Sequence, residues 1–437
     1  MKPSRILLAL ALAAAFPAVH AEDLVGVYHD ALASDPAFQS ARAQYSAGIE
    51  KLPQARSGYL PLLSGTASAF HNRISNDIAP NINYNTTTYA VTLSQPIFRL
   101  QNWIAIDQAH QQVLQSEAGL ASAGQDLILR VAQAYFDVLL AQDNVALSDS
   151  QKTAISEQLA QAKRNFEVGT ATIVDTLEAQ ARYDQSNAKL ISDRNDLEVK
   201  RRALQQLLNK VPASLAPLKD PLVLAPPKPD DIEAWVKVAA DSSFTVVSAK
   251  ANSEIAREEV GRQKASRLPT VDATASWAKG YDPTSQQLGL VGPNSTTSSI
   301  GITLSMPFYT GGLNQSRIRE ALANQTRADQ DLENAQRTTA QAVRQNFLNV
   351  TSGIAQVQAL EQALTSTQSQ LDSTILGRDV GVRTSVDVLN AQQQVYQTRR
   401  DLQQARYNYL LNTLRLKAAA GQLAEGDVED VNRALQR

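Results

Sequence analysis

Two long stretches without proline constrain this chain more than any other feature. Pro96 and Pro212 enclose 115 residues without a proline, and the 130 residues after Pro307 contain none either. Proline breaks a helix because it lacks the backbone donor and clashes with the preceding turn. Stretches of this length without it predict helices far longer than those of ordinary globular domains.

Both stretches also carry apolar residues at helical spacing. The apolar residues recur in alternating steps of four and three, which places them along one helix face and suits coiled-coil packing. They are Leu127, Val131, Ala134, Val138, Ala141 and Val145 in the first stretch, and Val343, Phe347, Val350, Ile354 and Val357 in the second. Each stretch is therefore predicted to pack as helices against other helices.

A closely similar phrase interrupts each stretch. "VGTATIVDTLEAQ" spans 168–180 and "VGVRTSVDVLNAQ" spans 380–392, an offset of 212 residues. Gly169 and Gly381 are suited to end a helix, because glycine adopts the left-handed cap conformation at little cost. The pairs that follow resemble helix-starting capping boxes with Asp in place of Glu; they are Thr172 with Asp175 and Thr384 with Asp387. Each phrase is predicted to form the tip of a helical hairpin, at 167–172 and at 379–384.

The residues before each hairpin alternate between apolar and polar types. A period of two is typical of strands with one apolar and one polar face. The alternating segments predict four strands, at about 60–73, 86–98, 269–280 and 297–309. Strands of about ten residues fit a membrane β-barrel as well as a soluble sandwich.

The N-terminal residues are typical of a secretory signal. Lys2 and Arg5 precede an apolar run, and Val19-His20-Ala21 is a plausible small-residue cleavage site. The run is too short to span a bilayer as a helix. We therefore expect residues 1–21 to be a signal peptide that is removed on export.

The remainder of the chain divides into two repeats of one plan. Each repeat is predicted to hold a helix, two strands and a long helical hairpin, and prolines are concentrated between the repeats. The predicted order is a first repeat at 22–209 with its hairpin at about 100–209, a proline-rich connector at 210–232, a second repeat at 233–421 with its hairpin at about 312–421, and a C-terminal segment at 422–437.

Composition argues against several classes of function. The chain has no cysteine, which excludes disulfides and thiol chemistry. Its net charge of −2 does not indicate the excess of basic residues that nucleic-acid binding requires. His29, His71 and His110 lie on separate predicted elements. The sequence also contains no metal-ligand cluster, nucleophile elbow or phosphate loop. We therefore expect no enzyme activity, no metal and no cofactor.

Four strands are too few to close a barrel, and open strand edges are not tolerated in lipid. Two copies of the chain would supply eight strands, whose barrel is filled by its own side chains. A conduit therefore needs at least three copies. The alternative is a trimeric surface-anchored coiled-coil fibre or adhesin, which would normally pass one uninterrupted helix through a C-terminal barrel. Here the strands lie inside both repeats and each helix returns.

Several motifs together resemble the TolC family of outer-membrane efflux and type I secretion channels. The motifs are "LSQPIF", "LSMPFYTGG", "FEVGTATIVDTLEAQ", "RDVGVRTSVDVLNAQ" and "ARYNYLLNTLRLKAAAGQL". The resemblance covers the chain after the signal segment and implies a mostly α fold with a membrane β-barrel. It implies a homotrimer with a twelve-stranded barrel in the outer-membrane lipid of a Gram-negative bacterium, and a long α-helical barrel in the periplasm. The connector and the C-terminal segment would belong to an equatorial belt.

The same resemblance implies the partners and the mode of action. The trimer would be a passive exit duct, docked by a periplasmic adaptor protein and by an inner-membrane transporter of the ABC or RND type. Its periplasmic tips would close the duct and open by an iris-like movement. The sequence does not specify whether the cargo is a protein, a drug or a metal.

Matching motif positions suggest which residues form the gate. Asp387 would be the aspartate of the pore constriction, and Arg383 and Asp175 would belong to the network that holds the tips closed. The chain departs from the family pattern at Asn390, where a second acidic residue is expected, and at Arg378, where a tyrosine is expected. It also has valine, at position 174, in place of a threonine beside Asp175. A charge pair from Arg378 or Arg383 to Asp175 is one substitute for the missing polar bond.

Both aspartates also have a purely structural interpretation. An aspartate at the third helical position stabilises a helix start by about 0.5–1 kcal/mol through the free N–H groups and the helix dipole. Capping alone therefore explains an aspartate in each tip. For Asp387 the resemblance favours the pore, and for Asp175 the two roles are evenly matched.

The turns themselves match the family positions that meet the adaptor. These positions are Val168, Gly169 and Thr170 in the first tip and Val380, Gly381 and Val382 in the second. Turn geometry accounts at least in part for the two glycines. Val382 stands where family tips often carry threonine, which weakens the prediction for the second tip.

Overall fold

The computed structural model describes residues 22–75, 81–170, 172–212, 214–284 and 292–435. The predicted signal peptide at 1–21 lies outside the described residues, as do parts of the loops that join each pair of strands. The helices are α1 Leu24–Ser34, α2 Pro36–Ile49, α3 Lys51–Ser57, α4 Leu100–Glu167, α5 Ile173–Leu208, α6 Ile232–Ser242, α7 Phe244–Ala265, α8 Leu313–Asp379, α9 Ser385–Ala419 and α10 Glu425–Asn432. The strands are β1 Leu62–Ile74, β2 Ile82–Phe98, β3 Thr270–Tyr281 and β4 Asn294–Ser305.

The chain forms two compact units, and each draws on both repeats. The sheet unit consists of Arg42–Gly119 and Thr245–Gln336. The helical unit consists of the described residues within Met1–Ala41, Leu120–Phe244 and Arg337–Arg437. The units therefore cut across the two sequence repeats, because each repeat contributes its strands to one unit and its hairpin tip to the other.

The sheet unit contains a four-stranded antiparallel sheet in the order β1-β2-β3-β4. Each repeat supplies one strand pair, and β2 joins the two pairs by bonding to β3, with Val91 opposite Trp277. A register shift between Pro96 and Phe98 interrupts this central pairing, which ends with Phe98 opposite Val271. At the same end, the Arg99 guanidinium binds both carboxylate oxygens of Asp272 at 2.8 Å. In the described residues, β1 and β4 each have one strand neighbour, so both edges of the sheet are open.

One face of the sheet is apolar and exposed. Alternation places every second side chain on the same face, and the strand register aligns these residues across all four strands. Ile300 is 89% exposed and Ile302 is 76% exposed. Other exposed members of this face are Leu63, Tyr89, Val91, Leu93, Trp277 and Leu304. A contiguous apolar face of this kind marks a surface that meets lipid or another protein.

The observed strand bounds differ from the sequence prediction by three or four residues at three ends. Strand β2 begins at Ile82, four residues earlier than the predicted 86, because it remains paired with β1 as far as Ile74. Strand β4 covers Asn294–Ser305 rather than 297–309, and its last pair joins Ser305 to Thr270. Pro307 has no backbone donor with which to extend that pairing. Cross-strand pairing, and not the alternation of residue types alone, sets these ends.

The helical unit buries the apolar stripes that the sequence shows. Val131 and Val343, one from each stripe, are 1% and 0% exposed and belong to the same apolar core. The core also takes in Leu24 of α1 and Leu414 of α9. Tyr135 of α4 is fully buried, and its hydroxyl donates to the carbonyl oxygens of Glu22 and Ala216. The proline-rich connector is therefore fastened to the core through α4.

Each long hairpin pairs one very long helix with a shorter returning helix. Helices α4 and α8 contain 68 and 67 residues, and the returning helices α5 and α9 contain 36 and 35. Each pair is joined by a short turn at the predicted tip. None of the helices in the described part of the chain is both long and apolar enough to cross a membrane.

Candidate functional site

The two tip turns have the same backbone construction. Gly169 and Gly381 adopt φ values of +76° and +80°, which L side chains rarely adopt. The Thr170 N–H donates to the Asn165 carbonyl at 2.8 Å, and the Val382 N–H donates to the Gly377 carbonyl at 2.9 Å. The glycine N–H groups close the inner bonds to the carbonyls of Phe166 and Arg378. This pair of bonds defines a Schellman motif, which satisfies the last carbonyls of α4 and α8.

Each returning helix begins with a reciprocal capping box. The Asp175 carboxylate accepts from the Thr172 N–H at 2.9 Å, while the Thr172 hydroxyl accepts from the Asp175 N–H at 3.3 Å. Asp387 and Thr384 repeat these contacts at 2.9 and 3.2 Å. The hydrogen bond from the Thr172 side chain, followed by that from its backbone, lowers the pKa of Asp175. The pKa of Asp387 is lowered by the Thr384 backbone and side chain and by the charge of Arg383.

A polar cavity of about 440 Å³ lies between the two hairpin tips. Asp175, Arg378 and Arg383 all line this cavity, so the structure brings together three of the five predicted gate residues. Arg378 donates to Asp379 with an Nη2–Oδ1 distance of 2.7 Å. Among the described residues, no ion pair joins Asp175 to either arginine. Within one chain, the Asp175 carboxylate instead accepts hydrogen bonds from Thr172, the residue that caps the same helix.

The remaining predicted gate residues meet on the second hairpin. Asp387 and Asn390 line a groove of about 680 Å³ together with Arg383, which therefore faces both cavities. Arg383 lies directly over Gly377: a Cβ added to Gly377 would be 2.8 Å from the Arg383 Cγ. Gly377 is a site residue that the sequence reasoning missed. The sequence does contain a signal for Gly377, because it is a glycine in the last turn of α8, and glycine destabilises a helix at such a position.

A polar link between the hairpins was also missed. The Arg182 guanidinium on α5 donates to the side-chain oxygens of Asn390 at 3.1 Å and Gln393 at 3.2 Å on α9. The Gln158 amide on α4 donates to Gln392 at 2.7 Å. The internal repeat gave no signal for these pairs, because Arg182 and Asn390 do not occupy matching positions of the two phrases. The link joins a predicted gate residue to the other hairpin.

The turn residues themselves are exposed. Val168 is 71% exposed, and Val380 and Val382 are 66% and 76% exposed. A Cβ added to Gly169 or Gly381 would meet no atom within 4 Å. Apart from its chain neighbours, each tip glycine faces open space. Each tip therefore presents at least one exposed valine beside that glycine, which leaves both tips accessible to a partner.

The fold and the family match together define a class of protein, the outer-membrane channels that serve efflux or secretion. The crystal structure of VceC, an outer membrane protein from Vibrio cholerae, matches with a TM-score of 0.78 over 91% of this chain and 96% of that chain, at 19% identity. The family model described as outer membrane efflux protein matches residues 27–210 and 235–422. The chain belongs to this family, which is the TolC family.

Sequence relatives agree with this assignment. Outer membrane protein TolC of Vibrio cholerae is 34% identical over 419 residues, which cover 96% of this chain and 95% of the relative. Alkaline protease secretion protein AprF of Pseudomonas aeruginosa is 31% identical over 418 residues, which cover 93% and 86%. The chain is therefore an outer-membrane exit duct for efflux or type I secretion, with a periplasmic extension. Its family is one of transport channels.

Proposed function

We propose that three copies of this chain close one twelve-stranded barrel and form a passive duct that is gated at its helical tips. The observation that carries this proposal is the open four-stranded sheet with a contiguous apolar face. Unpaired edges are costly in lipid, and pairing β1 of one copy with β4 of the next removes every edge. Three copies supply twelve strands, enough for an open lumen, whereas eight strands enclose a packed interior.

The gate is made of the residues around the two tip cavities. Asp387 and Asn390 face one groove, and Arg383 is shared between that groove and the cavity that holds Asp175 and Arg378. Three symmetry-related copies of Asp387 around one axis concentrate negative charge, which attracts cations. Polar bonds between neighbouring hairpins hold the tips closed, and separation of the hairpins opens the duct.

The partners follow from the exposed tips and the family. The tip residues Val168, Gly169, Thr170, Val380, Gly381 and Val382 contact a periplasmic adaptor protein. An inner-membrane transporter supplies the energy for transport, since the duct itself has no nucleotide-binding motif. In this arrangement the chain provides the passage, and its partners select the cargo and supply the energy for transport.

The experiment is single-channel conductance of the purified protein in planar bilayers, comparing wild type with the double variant Asp175→Ala, Arg383→Ser. A small wild-type conductance that rises several-fold in the double variant supports both the passage and the closed gate. A folded, oligomeric protein with no conductance in either form contradicts the duct and favours the fibre alternative.

A second measurement separates the pore role of Asp387 from its capping role. Multivalent cations added on the periplasmic side are expected to block wild-type channels. Asp387→Asn removes the charge and retains an oxygen that can accept from Thr384. If multivalent cations no longer block the Asp387→Asn channel, Asp387 belongs to the constriction. If the block is unchanged, Asp387 is not part of the constriction. Asp175→Asn is the matched control, because it alters the other capping box.

A further inference from the structure

A cavity in the helical unit carries an unusual excess of cationic side chains. It has a volume of about 210 Å³ and is lined by residues of α4, α5 and α9. Arg182 and Lys189 of α5 and Arg400 of α9 all line it, together with glutamine, serine and tyrosine side chains. No carboxylate lies among its described lining residues. The cavity lies between the first hairpin and the returning helix of the second.

Arg400 is the decisive residue. Its Nε and Nη2 atoms are buried and have no hydrogen-bond partner within the described part of the chain. A buried guanidinium N–H without an acceptor is costly, because the group has left water and gained no replacement. Two donors in the fixed geometry of one guanidinium match two oxygens of a tetrahedral oxyanion or a carboxylate.

The other two cations are only partly neutralised. Lys189 contacts Asp193 with an Nζ–Oδ1 distance of 2.6 Å. The bonds recorded for Arg182 go to the neutral amide oxygens of Asn390 and Gln393.

Arg400 also borders a neighbouring cavity that Asp143 and Asp220 line, and neither carboxylate forms an ion pair with Arg400 among the described residues. Among the same residues, Asp193 is the one carboxylate paired with a cation of the first cavity, so the lining of that cavity retains net positive charge. Amide and hydroxyl groups on its wall supply further neutral donors.

We propose that this cavity binds a small oxyanion, with phosphate or sulfate as the type of ligand. The Arg400 guanidinium provides paired donors, and Arg182 and Lys189 provide charge from the opposite helix. Because these cations lie on α5 and α9, the bound anion contacts both hairpins and strengthens the link that Arg182 already makes to Asn390. This inference goes beyond the exit duct and does not depend on the gate.

The test is calorimetric titration of inorganic phosphate into the full-length protein in detergent, with sodium chloride holding the ionic strength constant. We expect saturable binding of one ion per chain, with sulfate as a competitor. Loss of a hydrogen bond to a charged ligand corresponds to about 1.5–3 kcal/mol, so Arg400→Gln is expected to weaken binding about 10- to 100-fold. Arg182→Gln provides a second variant, with a weaker effect expected.

Arg399→Gln is the matched control. Arg399 has the same charge and is the neighbour of Arg400 on α9, but it donates to Gln368 and does not line the cavity. Phosphate is expected to raise the thermal unfolding midpoint of wild type and Arg399→Gln by about 2–5 °C through mass action, and to leave Arg400→Gln unchanged.

Three results would overturn the proposal. The first is no saturable phosphate or sulfate binding by wild type. The second is an equal loss in Arg399→Gln and Arg400→Gln, which would indicate general charge screening. The third is a loss of trimer stability in Arg400→Gln with no anion effect in wild type, which would mean that a carboxylate of a neighbouring copy occupies the cavity.

Discussion

The Arg182 guanidinium on α5 donates to the Asn390 side-chain oxygen on α9 at 3.1 Å, which ties the first hairpin to the second within one chain. Asn390 stands where the family pattern expects an acidic residue. An amide in that position still accepts a hydrogen bond from arginine, and it carries no charge. In the proposed gate, an amide at this position therefore keeps a contact between the hairpins and adds no negative charge.

Removing this contact is expected to favour the open duct. Arg182→Ala deletes two donors to α9, and because both bonds are exposed to solvent each is expected to contribute about 0.5–1 kcal/mol. A combined loss of about 1–2 kcal/mol shifts the proposed closed-to-open equilibrium roughly 5- to 30-fold, so the open state should be populated more often and the time-averaged single-channel conductance should rise. Arg194→Ala is the control, because Arg194 pairs with Asp149 and both lie on the first hairpin. Equal conductance in the two variants would contradict a role for the Arg182–Asn390 contact in closure.

The tips should loosen in acid. Hydrogen bonds from Thr172 and Thr384 lower the pKa of Asp175 and Asp387 in the folded chain. A carboxyl with a lowered folded pKa stabilises the fold above its unfolded value of about 3.9, and this contribution is lost as pH falls through the folded pKa. Hydrogen exchange at 173–180 and 385–392 should therefore accelerate, relative to the core of α4, as pH falls below about 4.

The capping threonines provide the control for this pH effect. In Thr172→Ala and Thr384→Ala the carboxylates lose side-chain donors, so the pKa of each aspartate should move toward its unfolded value. Loss of a threonine cap costs a helix about 1 kcal/mol. Exchange at the tips should then be fast already at neutral pH and should depend less on acid. Wild-type-like protection in both variants would show that packing, and not capping, holds the helix starts.

Gly421 should tolerate no side chain. Its φ is +71°, and an added Cβ would be 2.1 Å from the carbonyl oxygen of Ser242. The left-handed conformation alone costs an alanine about 1–2 kcal/mol, and the clash with backbone adds to that cost. Gly421→Ala should therefore lower the thermal unfolding midpoint of the helical unit. Gly426→Ala is the control, since a Cβ there meets nothing within 4 Å, and its midpoint should be unchanged or higher.

The buried pair Tyr407–Asp143 should make stability depend on pH. The Tyr407 hydroxyl donates to the Asp143 carboxylate at 2.8 Å. Burial raises the pKa of Asp143, and this hydrogen bond opposes the rise. Tyr407→Phe removes the donor, so the folded pKa of Asp143 should rise further. A raised folded pKa contributes stability below the unfolded pKa that is lost as pH rises through the folded value.

Tyr407→Phe is therefore expected to destabilise the protein by about 1.5–3 kcal/mol at pH 7 and by less near pH 4. Urea denaturation at the two pH values measures the difference. Tyr396→Phe serves as a control for ring chemistry, because the structure records no hydrogen bond to the Asp143 carboxylate from that residue. The same loss at both pH values would mean that Tyr407 acts through packing alone.

Much of the local structure was readable from the sequence. The phrases around Gly169 and Gly381 predicted both turns, and the pairs Thr172–Asp175 and Thr384–Asp387 predicted both helix starts. These features follow from local chemistry, since a left-handed glycine and an N-terminal carboxylate act within a few residues of backbone. The alternating segments likewise predicted the strands, although pairing moved the start of β2 to Ile82 and the end of β4 to Ser305.

Contacts between distant segments were decided only by the tertiary structure. The sequence alone determined that this chain consists of two repeats of strands and long helical hairpins with capped tips, because helix and strand periods and cap residues act locally. It did not determine that β2 pairs with β3 across the repeats, that Arg182 reaches Asn390, or that Arg400 faces a cavity with Arg182 and Lys189. Those contacts depend on how each helix is rotated about its axis and on how segments more than 150 residues apart are packed together. Neither a repeat nor a hydrophobic period encodes these quantities.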